Sequence, residues 1–291
     1  MPLRPIGSWL GGVAVASLTT SCLTSTVPTM PEQGISSPVS DQTSTIPSAP
    51  TKRKTAVTLT ISAAASLQDA LREVITIYEE TNPTVTIALN TASSGALQQQ
   101  IEQGAPVDVF LSAAPRHMDA LHEKGLLLPG TRQNLLGNQL VLVAHQAIAS
   151  SKQPQDAIAS FADLANTTVT HIVMGRPDSV PAGTYSKEVL SSLGLYGTLT
   201  PKLVFSKDVR QALTYVESGN VSAGLVYATD AALSETIQVV AIADPSTHSP
   251  IVYPVAVLKQ SRHPDMAKLL ADFLASEQAQ AIFERYGFKS L

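Results

Sequence analysis

The sequence holds one cysteine, Cys22, in 291 residues. That excludes an internal disulfide and any metal site built on two thiolates. Charge is scarce as well, at 14% Asp, Glu, Lys and Arg, and no run of Lys or Arg offers a surface to nucleic acid. The local signatures of common enzymes are missing: there is no G-x-x-x-x-G-K-[ST], no G-x-G-x-x-G and no H-E-x-x-H. The stretch Gly219-Asn220-Val221-Ser222-Ala223-Gly224 has the wrong spacing for a G-x-S-x-G nucleophile turn. His117 and His122 stand five apart, on different faces of a helix rather than on one metal.

What is there is a soluble, apolar-rich composition, 44% hydrophobic with a net charge of −4, long enough for two modest domains. Residues 1–22 read as an export signal. Arg4 is the only charge before Cys22, and the apolar run over 9–18 is too short to span a bilayer. Cys22 resembles the lipidated cysteine of bacterial lipoproteins, although Leu18 lies one place too early for the usual box before Thr19-Thr20-Ser21. Residues 23–55 are mostly Ser, Thr and Pro and cannot bury enough surface to offset ordering entropy, so they read as a tether without a fold.

The folded part is organised around residues 57–80. Val57, Leu59 and Ile61 alternate with Thr58, Thr60 and Ser62, a strand pattern. Leu67, Ala70, Leu71, Val74, Ile75 and Tyr78 then recur at helical spacing, with Ser66 and Asp69 expected to cap that helix. Strands and helices go on alternating, which argues for α/β layers and mainly parallel sheets. Strands are expected over 85–89, 107–111, 140–144, 169–174, 203–205, 221–227, 237–242 and 251–258. A long turn over 175–183 should precede a helix over 184–193, and two helices, over 264–274 and 276–286, should close the chain. The natural partition is two α/β lobes, 56–138 with 253–291 and 139–252, the chain crossing near Gly137-Asn138 and Tyr253-Pro254.

The strand-to-helix turns carry small neutral donors. Ser66 sits in one, Ser93-Ser94-Gly95 in another, and Ser206-Lys207-Asp208 opens a third helix. Taken singly, Ser66, Ser94 and Asp208 read as helix caps. Taken together, N–H and O–H groups at several helix starts could hold a tetrahedral dianion without a buried cation.

Those residues carry a resemblance. Ser62-Ala63-Ala64-Ala65-Ser66-Leu67, Ala92-Ser93-Ser94-Gly95, Gly104-Ala105-Pro106-Val107-Asp108-Val109-Phe110, Val180-Pro181-Ala182-Gly183-Thr184-Tyr185, Asp208-Val209-Arg210, Gly224-Leu225-Val226-Tyr227 and Tyr253-Pro254-Val255-Ala256-Val257 together resemble the periplasmic molybdate-binding protein family, the solute receptors of molybdate ABC transporters. The resemblance covers residues 57–291. It implies a type II periplasmic binding protein, two α/β lobes on a two-segment hinge closing on molybdate or tungstate, with no cofactor and no catalytic residue. It also implies the ligand set: N–H and hydroxyl from Ser66 and from Ser94, backbone N–H from Ala182 and Val209, and the phenolic O–H of Tyr227. The implied partner is the membrane permease, and the implied place is the periplasm or the outer face of the membrane, with a monomeric protein. Sulfate as the ligand, or a serine hydrolase using Ser66 or Ser94, are the alternatives the residues leave open.

Overall fold

The computed structural model describes residues 56–150 and 157–291. The expected leader with Cys22 and the tether over 23–55 lie outside the described residues. Strand β1 (Val57–Ala64) passes through a 3-10 turn, Ala65–Leu67, into α1 (Gln68–Thr81). Then come β2 (Val85–Ala92), α2 (Ser94–Glu102), β3 (Val109–Leu111), α3 (Pro115–Glu123) and β4 (Gln133–Gly137). The chain continues as β5 (Leu140–His145), α4 (Gln146–Ala149), β6 (Ile172–Gly175), α5 (Pro181–Ser192), α6 (Tyr196–Leu199), β7 (Leu203–Ser206) and α7 (Val209–Glu217). It ends with β8 (Ala223–Tyr227), α8 (Ala228–Ala231), β9 (Ile237–Ile242), β10 (Val252–Val257), α9 (Pro264–Leu274), α10 (Glu277–Arg285) and β11 (Lys289–Ser290).

The strands form two sheets, in the orders β11-β4-β10-β3-β1-β2 and β7-β6-β8-β5-β9. Each sheet is the centre of one α/β lobe. Neither sheet is mainly parallel, which corrects the sequence expectation. β1 pairs in parallel with β2 and β3, and β6 with β7 and β8, but β10 and β5 run antiparallel to both of their neighbours. Parallel neighbours need a crossover helix, whereas β5 and β10 arrive directly from the other sheet and enter reversed.

The alternation in β1 sends Leu59, Ile61 and Ala63 into the main core, where they meet Leu67, Leu71 and Val74 of the following turn and helix. The opposite face of the same sheet buries Phe110 and Ala256 against Leu97 and Ile101 of α2 and Met118 and Leu121 of α3, a smaller cluster. In the second lobe α7 buries Val209, Ala212, Leu213 and Val216, the face its spacing gives.

Two boundaries differ in a way that matters for the cleft. The helix expected over 184–193 begins at Pro181, because proline suits the first helical position, where its missing N–H has no intrahelical partner. Strand β4 was not expected, since QNLLG shows no clear alternation, yet it pairs with β10 and β11.

Candidate functional site

Between the lobes lies a small pocket with a cavity volume of about 10 Å³. Its walls from the first lobe are Ala64–Ser66, Ala92–Ser94 and Ala113, and from the second Val180–Ala182, Asp208, Val209 and Tyr227. All five residues singled out in the sequence, Ser66, Ser94, Ala182, Val209 and Tyr227, stand on this one wall. No Lys or Arg lines it.

Ser66 does not cap α1, as the sequence suggested. Leu67 holds the cap position without a side-chain bond, and the 3-10 turn leaves Ser66 Oγ 3.0 Å from the hydroxyl of Tyr253. Hydrogen-bond direction here follows from the neighbours. Asn138 Oδ1 accepts from the Gln139 N–H, so its Nδ2 is the donor that reaches Tyr253 Oη at 3.2 Å and Thr229 Oγ1 at 2.9 Å. Tyr253 therefore accepts from Asn138, and because a phenol oxygen can accept twice, either hydroxyl can be the donor in the Ser66–Tyr253 pair.

The cap of α2 is Ser93, whose Oγ accepts from Ala96, and not Ser94. Ser94 Oγ, fully buried, accepts the Ala113 N–H at 2.9 Å, which leaves its hydroxyl proton available to the pocket. Ala182 and Val209 occupy the first turns of α5 and α7, whose N–H groups lack an intrahelical acceptor. Asp208 caps α7 through Gln211 at 2.8 Å, which turns its carboxylate to the helix start. The start of α5 comes close to β6 because residue 183 is glycine: a Cβ there would lie 2.0 Å from the Gly175 carbonyl oxygen.

Tyr227, at the end of β8, is 1% exposed, and its hydroxyl meets no partner at ordinary hydrogen-bond geometry, only the weaker influence of the Tyr253 hydroxyl. An orphaned phenol of this kind costs about 1–3 kcal/mol unless something accepts from it. Its ring centroid lies 5.8 Å from that of Tyr253. Burial pushes the phenols of Tyr227, Tyr253 and Tyr185 well above their ordinary value, so all three stay protonated donors.

The lobes touch around the pocket. The Gly95 N–H donates to the Ser179 carbonyl at 2.9 Å, and Arg116 Nη2 to the Pro177 carbonyl at 2.9 Å. Arg116 Nε donates to His117 Nε2, while His117 Nδ1 lies 2.6 Å from Gln98 Oε1, so both ring nitrogens are engaged. Burial and the Arg116 charge push the His117 imidazole down to about 4. Among the described residues no group of three or more His, Cys, Asp or Glu is placed to hold a metal ion, and no helix is long and apolar enough to cross a membrane. Asn138, Tyr253 and Gly95 escaped the sequence reading as site residues. Each left only a trace there, Asn138 and Tyr253 as parts of the two crossings and Gly95 in the Ser93-Ser94-Gly95 turn.

Comparison with known proteins fits this geometry. A family model described as a bacterial extracellular solute-binding protein matches residues 59–289. YvgL of Bacillus subtilis, which carries the provisional name ABC transporter substrate-binding lipoprotein, is 46% identical over 232 residues, 80% of this chain and 86% of that protein. The molybdate-binding protein ModA of Escherichia coli is 40% identical over 230 residues, 79% of this chain and 88% of ModA. In structure, the periplasmic molybdate-binding protein of Azotobacter vinelandii aligns with a TM-score of 0.69 at 24% identity, covering 79% of this chain and 98% of that one. That likeness is one of fold, the two-lobed type II periplasmic binding protein.

Proposed function

The chain belongs to the bacterial extracellular solute-binding protein family, and from that premise we propose that it is a receptor for molybdate, and for tungstate, serving an ABC transporter. The ligand sits between the lobes. Ser66 and Ser94 each give an N–H and a hydroxyl, Ala182 and Val209 each an N–H, and Tyr227 its phenolic O–H. The lobes are residues 56–138 with 253–291, and 139–252, except that Val252 already pairs with Gly137 in the first sheet, so the chain crosses between them at 138–139 and 251–252. These crossings are the hinge.

The orphaned Tyr227 hydroxyl carries this reading. A fully buried donor with no acceptor of ordinary geometry, on a wall that also carries the Ser94 hydroxyl and the helix-start N–H groups of Ala182 and Val209, calls for a ligand that only accepts. A deprotonated tetrahedral dianion is such a ligand. A protonated anion would set its own O–H against donors, at a cost of about 1–3 kcal/mol, which disfavours hydrogen phosphate. Partial positive charge at the starts of α2, α5 and α7 offsets the ligand charge without the desolvation cost of a buried cation. Donors from two lobes surround four oxygens only when the lobes close, so binding and closure are one event.

The closed, loaded protein then meets a membrane permease as a monomer, held near the membrane by a lipid on Cys22. No residue is assigned a catalytic role. Thermal unfolding of the purified protein tests the ligand. A native-state ligand at a thousandfold excess over its Kd adds about 4 kcal/mol of stability, so molybdate and tungstate should raise Tm clearly. Equal shifts from sulfate would remove the claim of selectivity, and no shift from any of the three would remove the oxyanion site.

A further inference from the structure

We propose that Arg210 is a positioning residue for the ligand, a latch that ties the lobes shut by bridging Asp69 of one lobe to Asp230 of the other. The inference rests on the reading of the cleft as an oxyanion site. Arg210 directly follows Val209 at the start of α7, and Asp69 lies three residues after Ser66, in the first turn of α1. The Arg210 Nη2 pairs with Asp69 Oδ2 across the cleft. Its Nε lies 2.8 Å from Oδ1 of Asp230, which is 0% exposed. One end of the bridge is thus fixed in the second lobe, and the other grips the first lobe beside a ligand turn. Asp69 and Arg210 remain 32% and 25% exposed, so the contact across the cleft can form and break in contact with water.

The charges say what the bridge does not do. Arg210 faces Asp69 and Asp230, with Asp208 acting on the same cluster, and although burial pushes the Asp230 carboxyl up to about 7, one cation among these acids gives no field to draw in a dianion. The use of the cluster is mechanical. A guanidinium presents separate N–H groups in a rigid fork, so Arg210 meets two carboxylates on two lobes at once, Asp69 by a hydrogen bond and Asp230 by an ion pair, which the single ammonium of a lysine cannot reproduce. Because the Asp69 pair exists only after the lobes meet, its strength appears in the rate of ligand release rather than in the rate of capture.

The test uses the full protein and isotopically labelled molybdate, chased with unlabelled molybdate, on the parent, Asp69→Asn and Arg210→Lys. Asp69→Asn is isosteric at a partly exposed site, and circular dichroism checks that both variants fold. A latch predicts release about tenfold faster in both variants, with association within about twofold of the parent. A purely electrostatic role predicts the opposite for Asp69→Asn, slower release because a negative charge near the dianion is gone, and no change for Arg210→Lys. Either of those results overturns the latch. A parent that binds no molybdate overturns the oxyanion reading itself, and the latch with it. A parent that binds, with variants that release at its rate, overturns the latch alone.

Discussion

The hydroxyl of Tyr253 lies 3.0 Å from that of Ser66, joining the strand that returns from the second lobe to the first turn of the ligand wall. Tyr253 never faces the ligand in this arrangement. It holds the Ser66 hydroxyl in place, and is itself held by Asn138 at 3.2 Å. A side chain at the return crossing thus fixes the position of a hydroxyl at the pocket.

Tyr253→Phe should therefore weaken molybdate binding although it removes no ligand contact. Asn138 keeps Thr229 as an acceptor, so the cost to folding should stay near 1 kcal/mol. The affinity loss should be about tenfold, read by calorimetry. In a Ser66→Ala background the same change should cost almost nothing further, since the two residues act as one unit. Additive losses would show that Tyr253 acts by another route.

Tyr227→Phe should move stability and affinity in opposite directions. Without ligand, the variant loses a buried hydroxyl that has no partner at ordinary geometry, so the empty protein should be more stable, by about 1 kcal/mol or more. With molybdate it lacks a hydrogen bond to a charged oxygen, worth about 1.5–3 kcal/mol, so affinity should fall roughly ten- to a hundredfold. Denaturation of the empty protein and titration of the same sample give the two signs. A destabilised empty protein would mean that the hydroxyl already has a partner in solution.

Gly95→Ala should fold and fail to close. A Cβ at position 95 would lie 2.6 Å from the Ser179 carbonyl oxygen and 2.7 Å from its Cα, both backbone atoms of the opposite lobe. With the lobes apart that clash disappears, and alanine in a helix is better than glycine by up to about 1 kcal/mol. Tm of the empty variant should hold or rise. Molybdate affinity should drop at least about tenfold, and the contraction in radius of gyration that accompanies binding should shrink or vanish in X-ray scattering. Parent-like affinity would mean that the Gly95–Ser179 approach is not part of the bound state.

His117 should make the protein sensitive to acid. Its folded value of about 4 lies below the ordinary 6.5, owing to burial first and to Arg116 second. Between those two values the unfolded chain binds a proton that the folded protein refuses, so stability is full above pH 6.5 and is lost as pH falls towards 4. The shift corresponds to about 3 kcal/mol by pH 4. His117→Gln keeps a donor for Gln98 and an acceptor for Arg116, and it should lose about that much less than the parent between pH 7 and pH 4. Parallel curves for the two proteins would show that His117 is not held neutral.

The alternation in β1, the apolar faces of α1 and α7, and the cap at Asp208 were readable because each depends on residues within one or two turns. The turns that hold Ser66, Ser94, Val209 and Tyr227 were readable for the same reason, since a strand end and a helix start are local events, whereas the start of α5 at Ala182 was read as part of a long turn and entered only through the family resemblance. Where the local reading erred, a long-range partner had won. Ser66 gave up capping for Tyr253, 187 residues away, and Ser94 turned to Ala113 once Ser93 had taken the cap.

The sequence by itself determined an α/β chain with neutral donors at its strand ends, because period and capping chemistry are written in neighbouring residues. Only the tertiary structure decided that five such residues share one pocket, that Asn138 and Tyr253 hold Ser66, and that Gly95 and Arg210 bring the lobes together. Those relations join residues far apart in the chain, so only the folded packing of the two sheets could bring them within hydrogen-bond reach.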